Sequence, residues 1–320
     1  MKPMIISANR RNPFSIDYLP LLGRLHRNSF RSGSSDSSPS GRLLSRLLFY
    51  PMKALSFRPV RGTVKVKVLG QDRRAHFDAR NRQFSALYFD VFSCGYEPEF
   101  TTLIDALVPD DGILYDVGSN WGFFGIHLAA RPGFNGSVHC FEPWPPTYSD
   151  LSGLVEELEL GELISCHELA LSDVTGDACM HAPSHSGLAH VSGDQSGRKV
   201  RITTLDALDL PTPDLVKIDA EGLEEKIIQG GSEFLRENHP MLLFENRPGK
   251  FGDEECLAVL YMLEELGYRL FAPNLNPPEG ERFRVELIPL AAKTRNQHAQ
   301  YPNLFACHST ELERIEKAAG

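Results

Sequence analysis

Residues 113–136 read ILYDVGSNWGFFGIHLAARPGFNG, a short apolar strand that runs through Asp116 into a glycine-containing turn and then into an amphipathic helix. A strand, a turn and a helix in that order make a nucleotide-binding loop of the α/β kind. Gly118 and Gly122 have no Cβ, so the backbone can turn sharply there and a ligand can come close. Free N–H groups at the start of the helix are expected to bind an anionic group. A dinucleotide fingerprint needs G-x-G-x-x-G, whereas this spacing is D-x-G-x-x-x-G, with Asp116 at its first position. The pyrophosphate reading weakens accordingly. An acid at that place suits a ligand with a positive ammonium group, and the small turn suits a methionine-type tail.

A second strand, Ser137 to Phe141, ends in Glu142, where an α/β nucleotide fold places an acid on ribose hydroxyls. A third strand is expected near Leu163 to Cys166, with Ala170-Leu171-Ser172-Asp173 beyond it, followed by LVKIDAEGLEEKIIQG from Leu215 to Gly230. The segments DVGSNWG, FEP, ALSD, LVKIDAEGLE and MLLFEN resemble, in order and spacing, the FkbM family of S-adenosylmethionine-dependent methyltransferases. The resemblance covers roughly Tyr96 to His308. It implies a class I methyltransferase-like (Rossmann-like) α/β fold with a doubly wound, mostly parallel sheet whose last strand is antiparallel.

Composition agrees with an ordinary soluble globular protein: 320 residues, 42% hydrophobic and 23% charged. No run of about eighteen apolar residues exists to span a membrane. The six cysteines, Cys94, Cys140, Cys166, Cys179, Cys256 and Cys307, are scattered without a C-x-x-C pair. Reduced thiols and a cytoplasmic location are expected rather than a disulfide framework or a metal site.

Charge divides the chain. Residues 1–74 hold fifteen Lys+Arg against three Asp+Glu, while the whole chain is −9. Within that basic start, Ser29 to Gly41 is a Ser/Gly/Pro run and Arg42 to Phe49 a short basic amphipathic stretch. Three readings stand: a poorly ordered tail with one helix, peripheral contact with an anionic membrane, or an Arg- and Ser-rich targeting segment. Residues 1–41 offer little apolar periodicity, so folding is expected without them.

The expected organisation is a basic, partly disordered segment over 1–60, a small β-containing cap over 61–95 and a methyltransferase domain over 96–320. Thr63 to Leu69 alternates Val64, Val66 and Val68 with polar residues, a half-buried strand that His76–Phe77 or Phe84–Phe89 would continue. A helix is predicted from Glu99 to Leu107, and another from Asp253 to Leu266 that stops at Gly267. Tyr268–Ala272, Val285–Pro289 and Asn303–His308 supply late strands, with a Pro/Asn/Gly-rich loop between the first two.

Ligands in such sheets sit beyond the carboxyl ends of the strands. Asp116, Glu142, Asp219 and Glu245 each end a predicted strand and are expected on one rim. The resemblance implies that Asp116, Gly118, Asn120 and Gly122 hold the methionine part of S-adenosylmethionine. It further implies Glu142 on the ribose, Ser172 and Asp173 near adenine, and Tyr96 and Glu97 close to the cofactor. Trp121 is either a wall of the acceptor side or core packing. An acid at a strand end often only caps the next helix, and Lys217 could be a side chain snorkelling at the rim. The family's K-x-D-x-E-G pattern, met here at Lys217, Asp219 and Glu221, implies a catalytic role for all three. That pattern also favours Glu224, while Glu225 is a solvated helix face. His181, His185 and His190 lie in a Gly/Ser-rich loop, and a metal there would need order that spacing does not supply.

The expected activity is methyl transfer to a hydroxyl on a sugar or other polyhydroxylated small molecule or glycan, with no nucleic-acid partner. Two mechanisms fit the residues. A carboxylate, Asp219 first and Glu221 after it, takes the proton, or Asp219, Glu245 and Asn246 hold Mg²⁺; His190 is a lesser alternative base. A nucleotide- or NAD-dependent oxidoreductase and a catalytically silent binding or scaffold protein are the alternatives.

Overall fold

The computed structural model describes residues 3–31, 47, 49–89, 95–181, 190–192, 197–247, 253–298 and 300–319. Strands β1 (Met4–Asn9) and β2 (Phe14–Tyr18) precede helices α1 (Leu21–Arg31) and α2 (Tyr50–Leu55). The hairpin β3 (Arg61–Val68) and β4 (Gln71–Asp78) leads to a 3-10 turn at Arg82–Leu87. After α3 (Pro98–Leu107) come β5 (Ile113–Val117), α4 (Phe123–Ala129), β6 (Ser137–Phe141), α5 (Pro145–Glu157) and β7 (Ile164–His167). Four short strands follow: β8 (Ala170–Leu171), β9 (Gly176–His181), β10 (His190–Ser192) and β11 (Arg198–Thr203). The alternation resumes with β12 (Leu215–Ile218), α6 (Glu224–Gln229), α7 (Ser232–Asn238), β13 (Met241–Glu245) and α8 (Asp253–Glu265). Strands β14 (Tyr268–Glu279), β15 (Arg282–Leu290) and β16 (Asn303–His308), then α9 (Leu312–Ala319), close the chain.

Nine strands form the central sheet in the order β1-β15-β14-β16-β13-β12-β5-β6-β7. Strands β7, β6, β5, β12 and β13 run parallel, and β16 lies antiparallel between β13 and β14. This is the doubly wound class I methyltransferase-like topology. Side chains alternate between two cores: Leu114, Leu215 and Leu243 pack on one face with α3, α4 and α5. Tyr115, Val216 and Leu242 pack on the other with α6, α7 and α8. Helices on both faces explain why the inner strands are apolar almost throughout. The chain moves outward from β5 through β6 to β7 and then returns to β12 on the far side of β5, so the strand order reverses between β5 and β12. A crevice opens at such a switch point.

The N-terminal region departs from the expected tail. Strand β1 pairs antiparallel with β15, Ile6 opposite Val285, and β2 pairs with β3 in the three-stranded cap sheet. Ile6 is fully buried, and Arg11 is bound to Asp105 of α3 at 2.6 Å. Residues 3–18 therefore belong to the folded structure, which removes the ground for treating 1–41 as dispensable. Of the basic amphipathic stretch, residues 42–46 and 48 lie outside the described residues; Phe49 is buried and stacks on His26 at 3.9 Å.

Other elements shift too. Phe84 sits in the 3-10 turn and not in a strand. The expected Pro/Asn/Gly loop after Ala272 is instead strand, with its register slipping between Asn276 and Glu279. Pro277 and Pro278 fall in that slip, where no ladder N–H is required. The four-stranded sheet β10-β9-β11-β8 was not foreseen. Backbones of His181 and His190 pair in it, whereas His185 lies outside the described residues. All five cysteines among the described residues are free, and no described helix is long and apolar enough to cross a membrane.

Candidate active site

Asp116 and Lys217 are cross-strand neighbours in β5 and β12. Both are buried, and Lys217 Nζ stands 3.0 Å from Asp116 Oδ1 and 3.9 Å from Asp219 Oδ2. The same ammonium donates to the Gly118 carbonyl at 3.2 Å and lies over the Phe124 ring at 5.1 Å. Burial pulls the Lys217 pKa down, but the Asp116 and Asp219 carboxylates outweigh it and hold the ammonium above the ordinary lysine range. Lys217 is therefore a fixed positive charge that joins the two strand ends, and it cannot act as a base near neutral pH.

The turn after β5 is closed on itself. Gly118 N and Ser119 N donate to the Phe141 carbonyl, and Gly122 N donates to the Ser119 carbonyl. Glu142 Oε2 accepts from Asn120 N at 3.0 Å and Oε1 from Trp144 N at 2.8 Å. In the turn itself the N–H groups of Gly118, Ser119, Asn120 and Gly122 are thus spent inside the protein. Gly118 is required for a close approach, since a Cβ there, at φ +70°, would lie 2.0 Å from the Asp219 carbonyl oxygen. Asn120 adopts φ 52°, a left-handed position that asparagine tolerates.

A matching brace holds the turn after β12. Glu224 Oε1 accepts from Ala220 N at 2.9 Å and Oε2 from Gly222 N at 3.0 Å, with Glu221 between them at φ 53°. Glu142 and Glu224 are both buried, and burial raises each to about 7 against the pull of the N–H donors. Glu97, N-terminal to α3, is raised to about 8 by burial first and then by Asp219 and Glu99.

Between these turns and the cap lies a cavity of about 400 Å³. Gly118, Asn120, Glu142, Lys217, Asp219 and Glu221 line it. Asp116 lies behind Lys217, and Gly122 serves the turn, a Cβ there meeting Leu151 Cδ1 at 2.5 Å. Glu97 is outside the lining, although its neighbour Tyr96 is part of it. Ser172 and Asp173 hydrogen-bond each other at 2.9 Å outside the lining, and Leu169, Ala170, Leu171 and Met180 form that wall instead.

Trp121 lines the cavity and also packs on Phe14 and Phe84 at 5.8 and 5.3 Å. Arg82, Gln83 and Ser85 of the cap turn complete the cavity. Sequence reasoning missed these three because no motif marks a 3-10 turn. Glu245 pairs with Arg247 at 2.6 Å. The Asn246 amide is engaged at both ends, giving to the Cys256 carbonyl and accepting from Arg295 Nε. Neither joins Asp219 in the lining. Among the described residues no three His, Cys, Asp or Glu side chains converge as a metal site.

Residues 116–270 match the family model described as the methyltransferase FkbM domain. The chain carries an FkbM methyltransferase domain. The match begins on Asp116 and includes Glu142, Lys217 and Asp219, while the cap stands before it. Among solved structures the chain is similar to a methyltransferase FkbM from Methylobacillus flagellatus KT, at 15% identity and TM-score 0.38 over 82% of this chain and 58% of that one. It is also similar to a SAM-dependent O-methyltransferase from Thermotoga maritima, at 12% identity and TM-score 0.38 over 76% and 77% of the two chains. A precorrin-6y C5,15-methyltransferase from Geobacter metallireducens GS-15 gives 17% identity and TM-score 0.37 over 67% and 87%. A search of the curated proteins finds no match. In this FkbM domain the cavity wall from β5, β6 and β12 is rich in hydrogen-bond acceptors: the carboxylates of Glu142, Asp219 and Glu221 and the amide oxygen of Asn120.

Proposed function

We propose that the protein is an S-adenosylmethionine-dependent methyltransferase acting on a hydroxyl oxygen of a sugar or other polyhydroxylated metabolite. The observation that carries this reading is the internal use of the N–H groups of Gly118, Ser119, Asn120 and Gly122. A pyrophosphate needs donors, whereas an α-ammonium and a ribose diol need acceptors. The residues fit the second ligand. Asn120 Oδ1 is buried with no hydrogen-bond donor among the described residues, a place an ammonium N–H would fill. Glu142, already held by two N–H groups, keeps further lone pairs for ribose hydroxyls.

When bound, the cofactor supplies a methyl group on a sulfonium, whose C–S bonding pair returns to sulfur as the acceptor oxygen's lone pair forms the C–O bond. The chain positions that oxygen and removes its proton. Asp219, partly exposed to the cavity, is the proposed base, and Lys217 at 3.9 Å keeps its carboxylate in place. Glu221 stands beside it as the second candidate. The Mg²⁺ alternative is disfavoured by its donor set, because Asn246 is engaged at both ends and Glu245 is paired with Arg247.

Calorimetry with S-adenosylhomocysteine and NAD tests the cofactor: binding of the first alone is expected, and NAD binding would return the oxidoreductase. Labelled methyl transfer into fractionated cell extract, with and without a chelator, tests the chemistry in wild type, Asp219→Asn and Glu221→Gln. Near-normal rates in both variants would sink the carboxylate mechanism.

A further inference from the structure

We propose that residues 51–59, with Arg58 among them and Arg61 just beyond, form a docking surface for an anionic lipid bilayer, on which the protein rests without crossing it.

Helix α2 turns its apolar side outward. Tyr50 and Lys53, one turn apart, are partly buried, whereas Met52, Ala54 and Leu55 are exposed, and no residue of the helix is fully buried. A surface helix of a globular protein ordinarily does the reverse. Leu55 is 73% exposed, and Phe57, two residues on, is 94% exposed. The projection is braced on both sides. Arg80 donates to the Ser56 carbonyl at 3.0 Å, and Val60 N donates to Asp78 Oδ1 at 3.0 Å. The Arg80–Asp78 ion pair connects these two anchors, and Ser56 Oγ donates to the Arg58 carbonyl at 3.1 Å. Phe57, Arg58 and Pro59 are therefore held out between fixed points, and none of them lines the cavity. Apolar area presented in this way is stabilised when it leaves water for the boundary between headgroups and acyl chains.

Charge selects the partner. Residues 37–71 contain seven Lys+Arg and no Asp or Glu. Arg58 and Arg61 are exposed, and neither is in an ion pair among the described residues. Anionic headgroups would take these guanidinium groups while Leu55 and Phe57 enter the layer beneath. With the whole chain at −9, an anionic surface attracts this side and repels the acidic remainder, which sets the orientation of docking. A protein partner is the poorer match. Stable protein interfaces take about 20–30 residues a side, more than a nine-residue projection offers, whereas a bilayer requires no complementary shape.

Co-sedimentation of the full chain with vesicles of phosphatidylcholine, alone or mixed with phosphatidylglycerol, tests this. Binding to the anionic vesicles is expected to be at least tenfold stronger and to weaken as salt rises, because the attraction is screened. Leu55→Ser/Phe57→Ser is expected to lower that binding tenfold or more. Arg58→Gln/Arg61→Gln should lower it as well and flatten its salt dependence. All four side chains are exposed, so both variants should keep the wild-type melting temperature, which serves as proof of folding. Equal binding to the two kinds of vesicle, binding to neither, or unchanged binding in Leu55→Ser/Phe57→Ser would overturn the proposal. A concentration-dependent dimer in light scattering that the same variant abolishes would also overturn it, since the face would then belong to a second copy of the chain.

Discussion

Glu142 reaches across from the end of β6 to accept the Asn120 backbone N–H at 3.0 Å, locking the turn that follows β5. Its counterpart, Glu224, locks the turn that follows β12. The two turns flank the switch in strand order, and each is held by a buried carboxylate rather than left open to collect an anion. Removing the Glu142 carboxylate therefore acts on both the loop and the ligand. Glu142→Ala is expected to weaken S-adenosylhomocysteine binding by about 1–3 kcal/mol, the range for buried groups left unpaired. Calorimetry on a variant shown to be folded by circular dichroism checks this, and unchanged affinity would take Glu142 out of the site.

The Glu224 brace has a pH signature. Its folded-state pKa is raised from the ordinary 4.5 to about 7, so the folded protein keeps the proton longer than the unfolded chain does. Stability from this group is complete below 4.5 and is lost as pH rises to about 7. Melting temperature should therefore fall more shallowly across that window in Glu224→Gln than in wild type. Glu142 and Glu97 act in the same direction, so a residual slope remains. A variant slope as steep as the wild-type one would contradict the assignment.

The central sheet was legible because its inner strands are buried on both faces. Ser137–Phe141, Leu215–Ile218 and Asn303–His308 are short apolar runs bounded by polar residues or glycine, and they fold as expected. Strand β1 was not legible, since MIISAN gains its meaning only from β15, far down the chain. Strands β9 and β11, with the sequences GDACMH and RKVRIT, lack the apolar run that marks a buried strand. In the site, the motif residues Gly118, Glu142 and Asp219 were visible because each sits at a strand end. That the N–H groups of Gly118, Ser119 and Asn120 are consumed was invisible, because it depends on Phe141 and Glu142 at the end of β6 meeting the turn after β5. The Arg82–Ser85 wall was hidden for the same kind of reason: it meets the cavity through tertiary packing of the cap.

Gly118 and Gly122 differ in what a side chain would strike. At Gly118 a Cβ meets backbone, the Asp219 carbonyl, whereas at Gly122 it meets the flexible tip of Leu151. Both have positive φ, which costs a non-glycine residue about 1–2 kcal/mol. Gly118→Ala adds overpacking worth about 1–3 kcal/mol, so it should be clearly the more destabilising in urea denaturation. The reverse order would refute the close approach of the two turns.

Lys217 and Asp116 form a buried pair, and removing one partner strands the other's charge. Lys217→Met is expected to cost about 3–5 kcal/mol, with part recovered in the double variant Lys217→Met/Asp116→Asn. Denaturant midpoints of the single and double variants give the coupling directly. Strictly additive effects would show that the 3.0 Å contact contributes nothing.

The N-terminal strand offers the sharpest contrast with the sequence-based expectation. Residues 1–41 were expected to be dispensable, yet Ile6 is fully buried beside Val285 and Leu287, and β1 packs on α3 and α9. Arg11 adds its pair with Asp105, whose carboxylate burial would raise but which His127 and Arg11 hold down at about 2. Deleting residues 1–18 would expose the edge of β15, remove one strand of the cap sheet and leave Asp105 to His127 alone. An unprotected edge of this kind pairs with other chains. The truncated protein is expected to melt at lower temperature and to aggregate, as followed by calorimetric scanning and light scattering. Ile6→Ala isolates the packing part and should cost about 2–5 kcal/mol. A truncation that melts with the wild-type midpoint and stays monomeric would restore the reading of this segment as a tail.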